Sequence, residues 1–126
     1  MLVVVTGPIA AGKSTFSSAL AHRLRAEGRS VAVVGLDEVF FMIRSLPDAT
    51  LDETWDLALS VSYDEALRRV AADETRGLSK DPDFLRRTHE DFWSAHRSSD
   101  RPDLLLDTHG PTAAELADLV APGLGR

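Results

Sequence analysis

Two rhythms of apolar and polar positions alternate along this 126-residue chain. Short continuous apolar runs give way to segments whose apolar residues recur every three or four positions. The first run, Leu2-Val3-Val4-Val5-Thr6, reads as a buried strand. Phe16, Leu20 and Leu24 then recur at i, i+4 and i+8, so Thr15 to Glu27 reads as a helix with one face on a sheet. Gly28 is placed to end it. Ser30–Leu36 is a second, Val-rich strand that ends at Asp37-Glu38. Phe40, Phe41 and Ile43 carry a helix that Pro47 stops, and Leu51–Trp55 reads as one further turn. Leu57-Ala58-Leu59-Ser60-Val61-Ser62 is a third strand, or the end of one. Ser62-Tyr63-Asp64-Glu65 has capping-box spacing and opens a helix through Leu67, Val70 and Ala71. Asp81-Pro82 opens another, with Asp81 as N-cap and Pro82 as the first helical residue, carrying Leu85, Phe92 and His96 along one side. Leu104-Leu105-Leu106-Asp107 is a fourth strand. Thr112-Ala113-Ala114-Glu115 is a second capping box, starting a last helix through Leu116, Leu119 and Val120. Strands alternating with helices predict an α/β domain whose mostly parallel sheet is covered on both faces.

Composition narrows the class of molecule. The chain is long enough for one domain with its own core, spanning residues 1–126, and no repeat, low-complexity tract or linker divides it. The net charge of −6 offers no overall positive field to draw in a polyanion, so a nucleic-acid partner is not expected. The absence of cysteine removes disulfides, zinc-thiolate sites and a thiol nucleophile. No apolar run approaches membrane-spanning length, and the chain begins directly in its first strand, with no room for a signal peptide. A cytoplasmic setting away from membranes is therefore expected, as a monomer or homodimer.

The chemistry concentrates at Gly7-Pro8-Ile9-Ala10-Ala11-Gly12-Lys13-Ser14, followed by Thr15. This stretch fits the phosphate-binding pattern G-x-x-x-x-G-K-[ST], between a strand and a helix where that pattern has physical meaning. Backbone N–H groups of such a turn converge on phosphates, and the helix dipole adds partial positive charge. Gly7 and Gly12 permit backbone geometry that a Cβ would obstruct. Lys13 would reach the β- and γ-phosphates, and the Ser14 hydroxyl would bind Mg²⁺.

Other residues carry weaker signals. Asp37 leaves the carboxyl end of the second strand, the edge where ligands of open α/β sheets bind. It suits an acceptor-hydroxyl base or a holder of Mg²⁺-bound water, and it equally suits a helix N-cap. Glu38 is a lesser candidate for the same work. Arg68, Arg69 and Arg76 form a basic cluster around Asp73 ahead of Gly77. Guanidinium groups stabilise charge on a migrating phosphoryl group. Periodicity alone favours a solvated helix face with Asp64–Arg68 and Glu65–Arg69 pairs. Arg86 and Arg87 read as surface residues, and His89 and His96, seven apart, as packing or surface positions rather than metal ligands. Asp107 is followed by Thr108-His109 and not by a glutamate that could polarise water, which argues against a hydrolase.

With these residues the chain resembles the small P-loop kinases, above all the AAA-type ATP-binding and zeta-toxin or chloramphenicol-phosphotransferase-like groups. Four pieces carry the resemblance: Gly7–Thr15 as the P-loop, Gly35-Leu36-Asp37-Glu38 after the second strand, Tyr63–Asp81 as an arginine lid (about 64–81), and Asp103–Glu115 as the last strand and adenine-side loop. They cover most of the chain, and the first alone is highly specific. The resemblance implies a three-layer α/β/α P-loop NTPase fold with ATP and Mg²⁺ as cofactors. It implies that Asp37 contacts the acceptor hydroxyl, that Arg69 and Arg76 close over the ATP phosphates, and that Pro111 and Thr112 lie near adenine. Such kinases resemble one another in having five parallel strands, whereas about four are visible here. The stretch between Asp37 and Leu57 is long enough for one crossover but not two. A missing helix–strand unit of roughly 30 residues would fall near 54–57, an internal deletion.

The leading expectation is an ATP-dependent phosphotransferase acting on a small hydroxylated molecule. Lys13, Asp37, Arg69 and Arg76 would be its catalytic residues, Gly7–Thr15 with Pro111 and Thr112 its nucleotide contacts, and Ser14 its metal ligand. A nucleotide-binding module without transfer activity is the alternative, distinguished by ATP binding without ADP production. An ATP-hydrolysing AAA-type protein ranks last and would show acceptor-free hydrolysis.

Overall fold

Three parallel strands in the order β1-β2-β3 form the sheet of the computed structural model, which describes residues 1–35, 54–98 and 102–124. They are β1 (Leu2–Thr6), β2 (Thr54–Ser60) and β3 (Leu104–Asp107). Four α-helices accompany them among the described residues: α1 (Lys13–Ala26), α2 (Tyr63–Ala72), α3 (Pro82–Ser98) and α4 (Ala113–Val120). No helix among the described residues is long and apolar enough to cross a membrane.

The register explains the core. Val3 pairs with Trp55, Val5 with Leu57, Leu57 with Leu104 and Leu59 with Leu106. Paired residues of neighbouring strands share a face, so these seven side chains lie on one side of the sheet. Leu57 and Leu59, on the central strand, are wholly buried. They join Phe16, Leu20 and Leu24 of α1 and Leu116 and Val120 of α4 in one cluster, which also takes in Val70 and Leu85 from α2 and α3. Complete burial of each such side chain is worth about 1.5–3 kcal/mol before the entropy of ordering it.

Ser62 and Thr112 cap their helices as expected, each through its hydroxyl. Ser62 Oγ accepts from the Glu65 amide at 3.2 Å, and Thr112 Oγ1 from the Glu115 amide at 3.1 Å. Asp81 Oδ1 accepts from the Asp83 amide ahead of α3. α1 stops at the expected glycine: Gly28 adopts φ 84°, its amide donates to Arg25 O, and the Arg29 amide returns to Leu24 O. That bond pair is a Schellman ending.

Three expectations need correction. The second strand over Ser30–Leu36 does not form in residues 30–35, which have no regular structure; Leu36 lies outside the described residues. The sheet has three strands among the described residues, not four. Arg25 Nη2 donates to Val31 O at 2.7 Å, occupying a carbonyl that a neighbouring strand would need. A groove of about 410 Å³ lies between this segment and β1. The further turn at Leu51–Trp55 also fails at its described end, because Thr54 and Trp55 are already strand. The stretch at 54–57, beside which a missing unit is expected, lies within β2, which pairs residue by residue with β1 from Thr54 to Ala58. Trp55, Leu57 and Leu59 alternate onto the buried face, and Asp103 brackets Asp56 through its amide and its carboxylate. That alternation outweighs the helix-like composition before it. The helix expected from Phe40 to Pro47 lies outside the described residues.

Candidate functional site

The turn from β1 into α1 is built by close approach. A Cβ on Gly7 would stand 3.0 Å from Leu59 O and 3.1 Å from Ala11 Cβ, so β2 passes directly against the loop. Gly12, the N-cap of α1, adopts φ 90°, and Ala10 adopts φ 64°. Ala10 is the described non-glycine residue in that left-handed region. The helix begins at Lys13, two residues before the expected Thr15, and no side chain caps its N-terminus.

Four consecutive carbonyls of the loop accept hydrogen bonds from side chains. Lys13 Nζ donates to Gly7 O at 2.8 Å and Pro8 O at 2.9 Å. His89 Nε2 lies 2.9 Å from Ile9 O, and Arg69 Nη1 donates to Ala10 O at 2.9 Å. Buried carbonyls satisfied by side chains leave the loop's curvature specified at each peptide. Lys13 is half-buried, and burial, followed by the positive charge of Arg76, holds its ammonium below the ordinary pKa.

Arg69 is the centre of a strut. Its Nη1 also donates to Thr108 Oγ1 at 3.1 Å, its Nη2 to Thr108 O at 2.8 Å, and its Nε to Glu65 Oε1 at 3.1 Å. One guanidinium thus ties the loop, α2 and the end of β3 together, using the planar fork that lysine lacks. Arg68 Nε donates to the same Glu65 carboxylate at 2.9 Å. Hydrogen bonding from Arg68, then from Arg69, lowers the Glu65 pKa to about 2 against an opposing effect of burial. The anticipated Glu65–Arg69 pair is therefore present, and Arg68 reaches Glu65. Arg76 Nε pairs with Asp73 Oδ2 at 3.1 Å. Hydrogen bonds from Thr75, and then Arg76, hold the Asp73 carboxyl below its usual range.

A cavity of about 320 Å³ opens where these elements meet. It is lined by Ala10, Ala11, Gly12, Thr15 and Phe16 from the loop and α1, by Arg69, Asp73 and Arg76 from α2 and the turn after it, and by Thr108, Pro111, Ala113 and Leu116 from the β3–α4 turn and α4. Of the residues singled out in the sequence, Ala10, Ala11, Gly12, Thr15, Arg69, Arg76 and Pro111 are brought to one cavity. Gly7, Pro8, Ile9, Lys13 and Ser14 belong to the same loop and first helical turn, with Ser14 exposed. Thr112 is not in the lining; it serves as the α4 cap. Asp37 and Glu38 lie outside the described residues. Arg86 stands over the Tyr63 ring, 5.1 Å from its centroid.

His89 is the residue that sequence reasoning undervalued. It is 5% exposed and bonded to the loop. The signal was a lone polar side chain four residues after Leu85, on the apolar stripe of α3. No group of three His, Asp or Glu that would hold a metal ion occurs among the described residues. Comparison with protein-family models, with characterised proteins and with solved structures found no match.

Proposed function

We propose that this chain is a P-loop ATP-binding protein and a kinase that transfers the γ-phosphate to a hydroxyl of a small molecule. The observation carrying this reading is the cavity at the uncapped start of α1, where Gly12 and Thr15 of the G-x-x-x-x-G-K-S loop meet Arg69, Arg76 and Pro111. An open helix N-terminus, an ammonium and a guanidinium suit a polyphosphate. The mutual repulsion of Lys13 and Arg76 is relieved by an anion between them. The apolar wall of Phe16, Pro111 and Leu116 suits the flat face of a base.

In this reading Lys13 turns from the Gly7 and Pro8 carbonyls to the phosphates, and Arg76 leaves Asp73 to neutralise charge on the transferred group. Ser14, exposed on the first helical turn, would hold Mg²⁺ together with the phosphates and water, a mode that needs no protein cage. Mg²⁺ supplies neutralisation of phosphate charge when bound. Asp37 is retained as the acceptor-side carboxylate on sequence grounds. A three-layer P-loop arrangement, a cytoplasmic setting, a monomeric or homodimeric state and the absence of nucleic-acid or membrane partners belong to the same proposal.

One observation favours a second reading, a nucleotide-binding module without transfer. Arg69 is fully engaged with Ala10, Thr108 and Glu65, which leaves Arg76 to do the work expected of two lid arginines. An ADP-production assay across nucleoside, sugar, antibiotic and peptide acceptors separates the two. The kinase reading expects acceptor-dependent ADP that vanishes in Lys13→Ala and falls in Arg76→Ala. MgATP binding with no ADP from any acceptor supports the module, and equal ADP without acceptor supports an ATP-hydrolysing protein.

A further inference from the structure

We propose that His89 is a positioning residue of the phosphate loop, fixing the Ile9–Ala10 peptide through a hydrogen bond from its Nε2–H to the Ile9 carbonyl. This rests on the reading of Gly7–Thr15 as a phosphate site and deepens it, because α3 becomes part of that site's construction.

A carbonyl only accepts, so the 2.9 Å contact requires the proton on Nε2. The ring has little freedom. It is buried at 5% exposure and meets the Tyr63 ring edge-on, with centroids 6.3 Å apart. Tyr63 is itself pinned, since its hydroxyl donates to Pro82 O at 3.0 Å and Arg86 covers its face. The start of α2 and the first turns of α3 thus present one imidazole to the loop in one orientation.

The loop needs such an anchor at this peptide. Ala10 sits at φ 64°, a conformation that costs an L-residue about 1–2 kcal/mol. Strain of that size persists where the surroundings over-determine it. Here the two carbonyls flanking the Ala10 Cα are each held from outside, Ile9 O by His89 and Ala10 O by Arg69. Without His89 the Ile9–Ala10 peptide can rotate. Ala10 then relaxes to negative φ, and the Ala10 N–H no longer points where the loop's curvature sets it.

The test compares wild type, His89→Ala and His89→Gln, whose amide nitrogen can replace Nε2. Amide ¹⁵N spectra and hydrogen exchange are recorded over the loop and over β2, and MgATP affinity by calorimetry. The proposal expects a shifted Ala10 amide and faster exchange confined to the loop in His89→Ala, with MgATP bound about tenfold more weakly, the scale of one lost buried hydrogen bond. His89→Gln should restore both. Imidazole ¹⁵N shifts in wild type should show the proton on Nε2. Unchanged loop amides in His89→Ala would overturn the proposal, as would exchange that rises equally in β2, which marks a packing role alone. An altered loop with unaltered MgATP affinity would also overturn it. If wild type binds no MgATP, the nucleotide reading fails, and the loop amides still decide whether His89 fixes the peptide.

Discussion

Gly7 and Glu65 show how single positions set the site. Gly7 is constrained by space: the 3.0 Å approach of Leu59 O leaves no room for a methyl group against a backbone atom that cannot move aside. Gly7→Ala should cost about 1–3 kcal/mol in urea unfolding, the range for overpacking, and weaken anion binding with it. Glu65 works through charge. Its folded pKa of about 2 lies below the ordinary 4.5, so an unfolded chain takes up the proton more readily. Its contribution is present in full above pH 4.5 and is lost as pH falls towards 2. Glu65→Gln should therefore lower stability at neutral pH and flatten the stability curve between pH 4.5 and 2, as read by denaturant midpoints; an unflattened curve would place the acid sensitivity elsewhere. That Gly12 would share a cavity with Arg69 and Arg76 was legible in the sequence only through the P-loop pattern and the kinase resemblance, since periodicity alone reads the two arginines as a solvated helix face. The roles of His89 and of Arg69 as a strut were not legible, since both depend on contacts with distant residues. Ile9 and Ala10 are far from them in sequence, and only folding brings them together.

At the level of elements, local chemistry proved a good guide to helices and a poorer one to strands. Ser62, Asp81 and Thr112 start their helices as their side chains dictate, and Gly28 ends α1 by a left-handed turn. Helix signals are local in sequence, so one chain segment carries them. Thr112→Ala should cost about 1 kcal/mol by loss of the bond to the Glu115 amide, with the denaturant slope unchanged. A loss much smaller than that would show the α4 start to be fixed by packing of Leu116. Strand pairing depends on a partner, and there the sequence misled. The Val-rich run at 30–35 has the composition of a strand, yet Arg25 takes the Val31 carbonyl and Val33 and Val34 stay exposed. Conversely, β2 begins three residues before the apolar run, at Thr54, because Trp55 and Leu57 alternate onto the same face as their register partners Val3 and Val5.

For the whole molecule, the sheet order places the loop beside the central strand. β2 lies between β1 and β3, so the loop leaving β1 packs on Leu59 while the turn leaving β3 offers Thr108 to Arg69. Two strand ends, two helix starts and two guanidinium groups thereby converge on a cavity of about 320 Å³. In the proposed function this convergence binds nucleotide phosphates through the Gly7–Ser14 loop. Calorimetric titration of MgATP into wild type and Lys13→Ala tests it most directly. Saturable one-to-one binding is expected, weakening about tenfold to a hundredfold in the variant, the scale of a charge-assisted hydrogen bond to phosphate. Equal affinity in both proteins, or no heat in wild type that is folded by circular dichroism, would contradict it.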